Sequence, residues 1–171
     1  EKTTGAEILE AFADTKLDYF VTGYGTGGTY AGAGRAIKKA RPGDTKIVLS
    51  EPKGAPLVSS GVAQERKEVM GLFGAPAKGH PSWTAHPIQG WTPNFIPKVC
   101  QEGIDAKTHD EIILVDGKDA MDTALALMRN EGIFCGTSGG ATLWTALEVC
   151  KKAPPGSVVC CMIPDTAERY L

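Results

Sequence analysis

Short apolar runs alternate with longer segments of helical periodicity along this chain. The runs at 18–22, 46–52, 111–117 and 157–163 are nearly continuous in apolar residues and predict strands, and the shorter run 132–136 predicts one more. Helices are predicted over 4–13, over 28–40, from about 120 to 130, and after the TSGGA stretch as far as Lys152. Residues 53–100 are rich in Gly, Pro, Trp and His, and predict no regular element other than a helix near 59–70.

Strands that are apolar throughout and alternate with helices are typical of a parallel sheet covered on both faces. The chain is therefore predicted to be α/β, with three layers and a mostly parallel, twisted sheet. Its 171 residues are enough for one domain, taken as 1–171. Ligands of such sheets bind beyond the carboxyl ends of the strands. Two glycine loops, 23–29 and 136–140, are predicted to lie at such ends.

Composition excludes several classes of function. With 18 basic and 20 acidic residues, a net charge of −2 and no basic block, the chain is a poor candidate for binding nucleic acid. Its apolar runs are too short to cross a bilayer. Five cysteines without a CxxC pair indicate buried thiols in a reducing, intracellular protein, and no residue spacing indicates a metal site.

The glycine loops leave three interpretations open. The stretch GYGTGG fits the dinucleotide fingerprint G-x-G-x-x-G, and Glu51 lies 23 residues after Gly28, where a ribose-binding acid is expected. The stretch GTSGG fits the nucleophile elbow G-x-S-x-G, but all three histidines precede it, so the hydrolase order cannot form. A cofactor with a phosphate at one end and a heteroaromatic ring at the other would use both loops, with Ser138 hydrogen-bonded to a ring nitrogen.

Several motifs in order favour the third interpretation. GTGGT after an apolar strand, HPIQG followed by FIP, CGTSGGA before a helix, PDTAERYL at the end and the opening TTGAEI together resemble cysteine synthase (O-acetylserine sulfhydrylase). The wider group includes cystathionine β-synthase and the β subunit of tryptophan synthase. The resemblance extends over nearly the whole chain. It implies the larger domain of the tryptophan synthase β-like, fold-type-II architecture, with pyridoxal 5'-phosphate as cofactor.

The resemblance also implies roles for individual residues. Ser138 would face the pyridine nitrogen, and a neutral serine there makes the ring a weaker electron sink, which suits β-elimination and replacement. Pro164 and Asp165 would lie near the ring edge, and Gln89 and Gly90 beside the substrate. The cofactor phosphate would be bound by Gly25, Thr26, Gly27, Gly28 and Thr29.

Two parts of the family pattern are missing. The S-x-K-[DN]-R stretch with the Schiff-base lysine and the loop that binds the substrate carboxylate are both absent, so no catalytic residue is assigned. They are expected in an N-terminal half that would precede Glu1, and the chain alone is predicted to be inactive. Between Gly90 and Phe95 the usual small residues are replaced, and Trp91 adds bulk beside the expected substrate pocket.

The function implied by the resemblance is conversion of O-acetylserine and sulfide to cysteine and acetate. A non-catalytic subunit of a larger assembly and an NAD-type binding domain are the alternatives. The expected partners are a small amino-acid substrate, the missing half of the same polypeptide, and a second copy in a homodimer or a larger complex. The C-terminal tail of serine acetyltransferase is a further expected partner. The expected location is intracellular, in the cytoplasm, a plastid or a mitochondrion.

Overall fold

The computed structural model describes residues 1–65, 75–76 and 78–170. Its strands are β1 (Tyr19–Thr22), β2 (Lys46–Pro52), β3 (Glu111–Val115) and β4 (Val159–Cys161). Its α-helices are α1 (Thr4–Ala11), α2 (Gly28–Ala40), α3 (Lys98–Asp105), α4 (Gly117–Glu131) and α5 (Thr137–Lys152), and a short 3-10 helix covers Ala167–Tyr170. None of the helices in this part of the chain is long and apolar enough to span a bilayer.

The four strands form one parallel sheet in the order β3-β2-β1-β4. Phe20 of β1 lies between Ile47 of β2 and Cys160 of β4. The chain leaves β1 through α2 to reach β2 on one side, whereas β4 returns on the other side of β1. The order of the strands therefore reverses at β1, and a crevice is expected between the carboxyl ends of β1 and β4.

Helices cover both faces of the sheet, as predicted. On one face, Phe20 and Ile47 pack with Ala33 and Ile37 of α2. On the other face, Val21 and Val48 pack with Ala146 and Val149 of α5. This division follows from the alternation of side chains along each strand. The prediction of a three-layer α/β fold is confirmed.

The cysteines show the same alternation. Cys160 packs on the α2 face and Cys161 on the α5 face. These two cysteines are partly buried, and Cys100 and Cys135 are buried, but Cys150 near the end of α5 is exposed, so the prediction of buried thiols is wrong there. None of the five, all of which lie within the described residues, forms a disulfide.

The strand predicted over 132–136 is wrong. Gly132 adopts φ of 71° and ends α4 with a left-handed turn, and α5 begins at Thr137. Ile133 and Phe134 are 48% and 38% exposed, so this apolar run is not buried. Cys135 makes only an isolated antiparallel bridge with Thr166. The segment connects α4 directly to α5. Because these two helices pack on each other, it does not return to the sheet. A methyl group at Gly140 would lie 2.1 Å from the carbonyl oxygen of Ala120.

The helices differ from the sequence predictions in several places, and α5 begins at Thr137, so most of the loop predicted over 136–140 is helical. Helix α1 ends at Ala11 rather than at residue 13. Helix α4 begins at Gly117, because the Asp116 side chain caps it by accepting a hydrogen bond from the Lys118 N–H at 2.9 Å. The helix predicted near 59–70 is absent from 59–65, and its remainder lies outside the described residues. Helix α3 was not predicted, and it packs on α2 through Gly103 and Tyr30.

Candidate functional site

An open cavity of about 400 Å³ lies at the carboxyl ends of β1 and β4. Three chain segments meet around it: the glycine loop after β1, the start of α5, and the stretch from Met162 to Asp165 after β4. A fourth segment, Gln89–Trp91, closes another wall. The residues that line the cavity are Thr22, Gly23, Tyr24, Gly25, Thr26, Gly27, Gly28, Thr29, Gln89, Gly90, Trp91, Ser138, Thr142, Met162, Pro164, Asp165 and Tyr170.

Close packing explains two of the glycines after β1. Gly27 adopts φ of 93°, which favours glycine, and a methyl group there would lie 2.5 Å from the backbone nitrogen of Cys100. A methyl group at Gly25 would lie 2.3 Å from the carbonyl oxygen of Gly90. The loop is therefore held against α3 on one side and against the Gln89–Trp91 segment on the other.

Gly28 differs from its neighbours because it faces open space. It is the first residue of α2, and a methyl group there would meet only the Thr26 hydroxyl, at 3.9 Å. The first intrahelical bond of α2 runs from the Ala31 N–H to the Gly27 carbonyl at 2.8 Å. The N–H groups before it have no acceptor within the helix, and with the helix dipole they favour an anion in this part of the cavity.

A second helix also begins at the cavity. Ser138, in the first turn of α5, lines the cavity and is 3% exposed. The neighbouring Thr137 hydroxyl accepts a hydrogen bond from the Gln89 N–H at 3.2 Å, which ties α5 to the Gln89–Trp91 wall. Because the amino-terminal ends of α2 and α5 both point here, the cavity favours an electron-rich ligand with two separate acceptor groups.

The wall after β4 carries a buried acceptor. The Tyr170 hydroxyl donates to Asp165 Oδ2, and this bond is the main reason that the pKa of Tyr170 is raised to about 12. Asp165 Oδ1 is buried and has no hydrogen-bond partner among the described residues. A methyl group at Gly136 would lie 2.4 Å from that oxygen, so the wall and the start of α5 are in contact. A ligand that donates a hydrogen bond would satisfy Asp165.

Trp91 closes the remaining wall. Its ring lies against Gly23, where a methyl group would be 2.1 Å from two ring carbons. Gly90 beside it has φ of 79°, and the Thr92 N–H donates to the Tyr24 carbonyl at 2.8 Å. The bulk expected at Trp91 therefore does border the cavity.

Comparison with known proteins decides the family. The family model described as "Pyridoxal-phosphate dependent enzyme" matches residues 1–165. The chain belongs to this family. It is 40% identical over 170 residues to O-ureido-L-serine synthase of Streptomyces lavendulae, covering 99% of this chain and 45% of that protein. It is 37% identical over 172 residues to the probable cysteine synthase of Bacillus subtilis, covering 99% and 47%.

Solved structures of this pyridoxal-phosphate dependent family share the fold. The crystal structure of O-ureido-L-serine synthase matches with a TM-score of 0.82 at 40% identity, over 99% of this chain and 46% of that one. O-acetyl serine sulfhydrylase isoform 3 of Entamoeba histolytica matches with a TM-score of 0.78 at 29% identity, over 98% and 43%. The resemblance to cysteine synthases is confirmed, and the chain spans about half the length of the curated relatives it matches.

The cavity suits the cofactor of this family. The start of α2 offers free N–H groups beside the open space at Gly28, as a phosphate requires. The buried Ser138 hydroxyl and the unpartnered Asp165 oxygen offer polar contacts elsewhere in the same cavity. All ten residues assigned from the sequence to the cofactor or substrate line it: Gly25, Thr26, Gly27, Gly28, Thr29, Gln89, Gly90, Ser138, Pro164 and Asp165.

The dinucleotide alternative disagrees with both the family and the structure. Glu51 is fully buried at the end of β2 and is not part of the cavity lining. It accepts a hydrogen bond from the Tyr24 hydroxyl at 2.5 Å. The ribose-binding role that the dinucleotide alternative requires of Glu51 is therefore wrong.

Sequence reasoning missed five lining residues that carry side chains: Thr22, Tyr24, Thr142, Met162 and Tyr170. Tyr24 and Tyr170 belong to motifs that were singled out, GYGTGGT and PDTAERYL, so their positions carried a signal. Thr142 comes immediately after the TSGGA stretch at the start of α5. Its hydroxyl donates to the Met162 carbonyl, which joins α5 to the segment after β4.

Proposed function

We propose that the polypeptide containing this chain catalyses a pyridoxal-phosphate dependent β-replacement of the cysteine synthase type. The observation that carries this proposal is the cavity shared by the glycine loop after β1, the start of α5 and the segment after β4. A phosphate at the start of α2 and a ring nitrogen at Ser138 are the two ends of one molecule of the cofactor. In this proposal, residues 1–171 form the cofactor-binding domain.

The chain's residues bind and orient the cofactor. Backbone N–H groups of Gly25–Thr29 and the Thr26 and Thr29 hydroxyls donate to the phosphate. Ser138 hydrogen-bonds the pyridine nitrogen, and because serine carries no charge it does not hold a proton on that nitrogen. When bound, the cofactor supplies an electron sink. A neutral ring nitrogen makes this a weaker sink, which suits replacement at Cβ.

The substrate amino acid is proposed to lie beside Gln89 and Gly90. Trp91 next to them reduces the room available to the leaving group and the incoming nucleophile. Its ring also helps to exclude water from the cavity. The chemistry at Cα and Cβ would take place against this wall, with the proton-transferring lysine supplied from outside this chain.

The lining supports an external lysine. No lysine among the described residues lines the cavity. Lys118, which resembles the family's lysine motif most closely in sequence, is at the exposed start of α4 and forms an ion pair with Asp122. We further propose that the lysine belongs to another part of the polypeptide, that the polypeptide forms a homodimer or joins a larger assembly, that it binds the tail of serine acetyltransferase, and that it acts inside the cell.

Residues 1–171 alone are expected to bind pyridoxal 5'-phosphate without forming cysteine. Sulfide-dependent cysteine formation from O-acetylserine should be measured for this chain and for the full-length polypeptide. We expect turnover only from the full-length polypeptide, because the lysine and the carboxylate-binding loop are proposed to belong to its other half. Turnover by residues 1–171 would contradict the proposal that the lysine and the carboxylate-binding loop lie outside this chain. A full-length polypeptide that is inactive with every nucleophile would favour the non-catalytic alternative.

A second nucleophile is favoured by one comparison. Identity to O-ureido-L-serine synthase is 40%, against 37% and 33% to cysteine synthases. Formation of O-ureido-L-serine by β-replacement requires the hydroxyl of hydroxyurea in place of sulfide. The two functions use the same cofactor site, so the discriminating measurement is the kcat/KM of the full-length polypeptide for each nucleophile. A kcat/KM that is higher for hydroxyurea than for sulfide would favour the second function.

A further inference from the structure

Glu51 is a completely buried carboxylate that lies outside the cavity. It is 0% exposed at the end of β2, and four donors surround it. Oε1 accepts from the Tyr24 hydroxyl at 2.5 Å and from the Val58 N–H at 2.7 Å. Oε2 accepts from the Ser59 N–H at 3.0 Å and from the Ser59 hydroxyl at 2.6 Å. Burying a carboxylate is costly without such bonds, so this set of donors is specific for a charged residue.

One of the four donors belongs to the glycine loop. Between Gly23 and Gly28 only Tyr24 and Thr26 carry side chains, and Tyr24 is 2% exposed whereas Thr26 is exposed. The Tyr24 carbonyl also accepts from the Thr92 N–H at 2.8 Å. Tyr24, which itself borders the cavity, is therefore fixed through both its side chain and its backbone, immediately before the segment from Gly25 to Thr29.

A loop with four glycines in seven residues needs such an anchor. Glycine has the largest conformational freedom of any residue, and ordering the loop around an anion costs entropy. A loop that is already ordered binds more tightly, because that cost is met before the ligand arrives. Burial, and then the charge of Glu51, raise the pKa of Tyr24, so that its hydroxyl remains a donor.

We propose that Tyr24 and Glu51 are positioning residues for the phosphate end of the cofactor, an inference that rests on the proposed function. Glu51 fixes the Tyr24 side chain, and Tyr24 fixes the backbone from Gly25 to Gly28 in the conformation whose N–H groups point into the cavity. Neither side chain needs to touch the phosphate. The specific consequence is that loss of the Tyr24 hydroxyl weakens binding of phosphate-bearing ligands and leaves other ligands of the cavity unaffected.

Tyr24→Phe in the full-length polypeptide tests this inference, with Ser59→Ala as the matched control. Each variant removes one hydroxyl donor to Glu51, but only Tyr24 belongs to the glycine loop. Dissociation constants of pyridoxal 5'-phosphate and of pyridoxal, which lacks the phosphate, are measured by fluorescence titration of the cofactor-free protein. Tyr24→Phe is expected to weaken binding of pyridoxal 5'-phosphate by about 10-fold or more and to change pyridoxal binding by less than about twofold, because the lost bond involves a charged acceptor.

The outcomes separate the inference from the function on which it rests. Absence of binding of pyridoxal 5'-phosphate to the unaltered protein would contradict the proposed function itself. Normal binding to Tyr24→Phe, equal losses for both ligands, or an equal loss in Ser59→Ala would overturn the positioning role. If Tyr24→Phe does not fold, Glu51→Gln takes its place, since it keeps the shape of the side chain and removes its charge. The same selective loss is expected, and its absence would overturn the inference.

Discussion

Replacing Gly28 with aspartate is expected to weaken binding of pyridoxal 5'-phosphate by at least about 100-fold, because several charge-assisted hydrogen bonds are each worth about 1.5–3 kcal/mol. The new carboxylate would occupy the open space at the start of α2 and would repel the phosphate. A Cβ atom at this position meets only the Thr26 hydroxyl, at 3.9 Å, so the fold accommodates it. An acidic residue in the first turn of a helix is itself favourable by about 0.3–1 kcal/mol.

The measurement for Gly28→Asp is a pair of curves, one for cofactor binding and one for thermal unfolding. The matched control is Thr4→Asp, which adds the same charge at the first residue of α1, away from the cavity. We expect the control to bind normally and both variants to unfold within a few degrees of the unaltered protein. Normal cofactor binding by Gly28→Asp would show that the phosphate does not lie at the start of α2.

Gly27→Ala is expected to lower the free energy of unfolding by about 3 kcal/mol or more, since a strained backbone and an overpacked contact each cost about 1–3 kcal/mol. Gly27 adopts φ of 93°, which an alanine tolerates poorly. The added methyl group would also lie 2.5 Å from both the nitrogen and the Cα atom of Cys100, and backbone atoms cannot move aside as a flexible side chain can. If the loop moves to relieve the strained backbone or the close contact, it shifts away from α3 and distorts the proposed phosphate site.

The neighbouring Gly28→Ala is the control for Gly27→Ala, because the same methyl group is added one residue later into open space. Unfolding in urea is measured for both variants. We expect Gly28→Ala to change stability by less than about 1 kcal/mol, as is usual for a compatible glycine-to-alanine replacement. Equal effects of the two substitutions would contradict the different packing of the two glycines.

The parts of the fold that follow from local pattern were predictable from the sequence. Strands β1 and β2 and helix α2 have continuous apolar or periodic residues, and the glycine loop joins them as expected. The run 132–136 has a similar apolar character, yet it connects two helices. Its position depends on the packing of Gly140 against Ala120, a contact between distant residues. Helix α3 is short and its apolar face is narrow, so periodicity alone did not reveal it.

Site residues divide along the same line. Those within GTGGT and TSGGA line one cavity, and their roles there remain predictions that rest on the family resemblance. The environment of Glu51 could not be predicted, because sequence spacing showed that it ends a strand but did not show which way its side chain points. Its burial depends on Tyr24, Val58 and Ser59, which approach only in the folded chain. Tyr170 was missed for a similar reason, since its contact with Asp165 requires the short helix that ends the described chain.

The most direct test of the central claim is the ¹H–¹⁵N NMR spectrum of residues 1–171 during titration with pyridoxal 5'-phosphate. The amide signals of Gly25–Thr29 and of Ser138 are expected to shift together and to give the same dissociation constant, because the proposal places the glycine loop after β1 and the start of α5 at opposite ends of one cofactor molecule. Inorganic phosphate in the same experiment should shift the signals of Gly25–Thr29 alone. If the cofactor shifted the signals of Gly25–Thr29 alone or of Ser138 alone, or if the two gave different dissociation constants, the shared site would be contradicted.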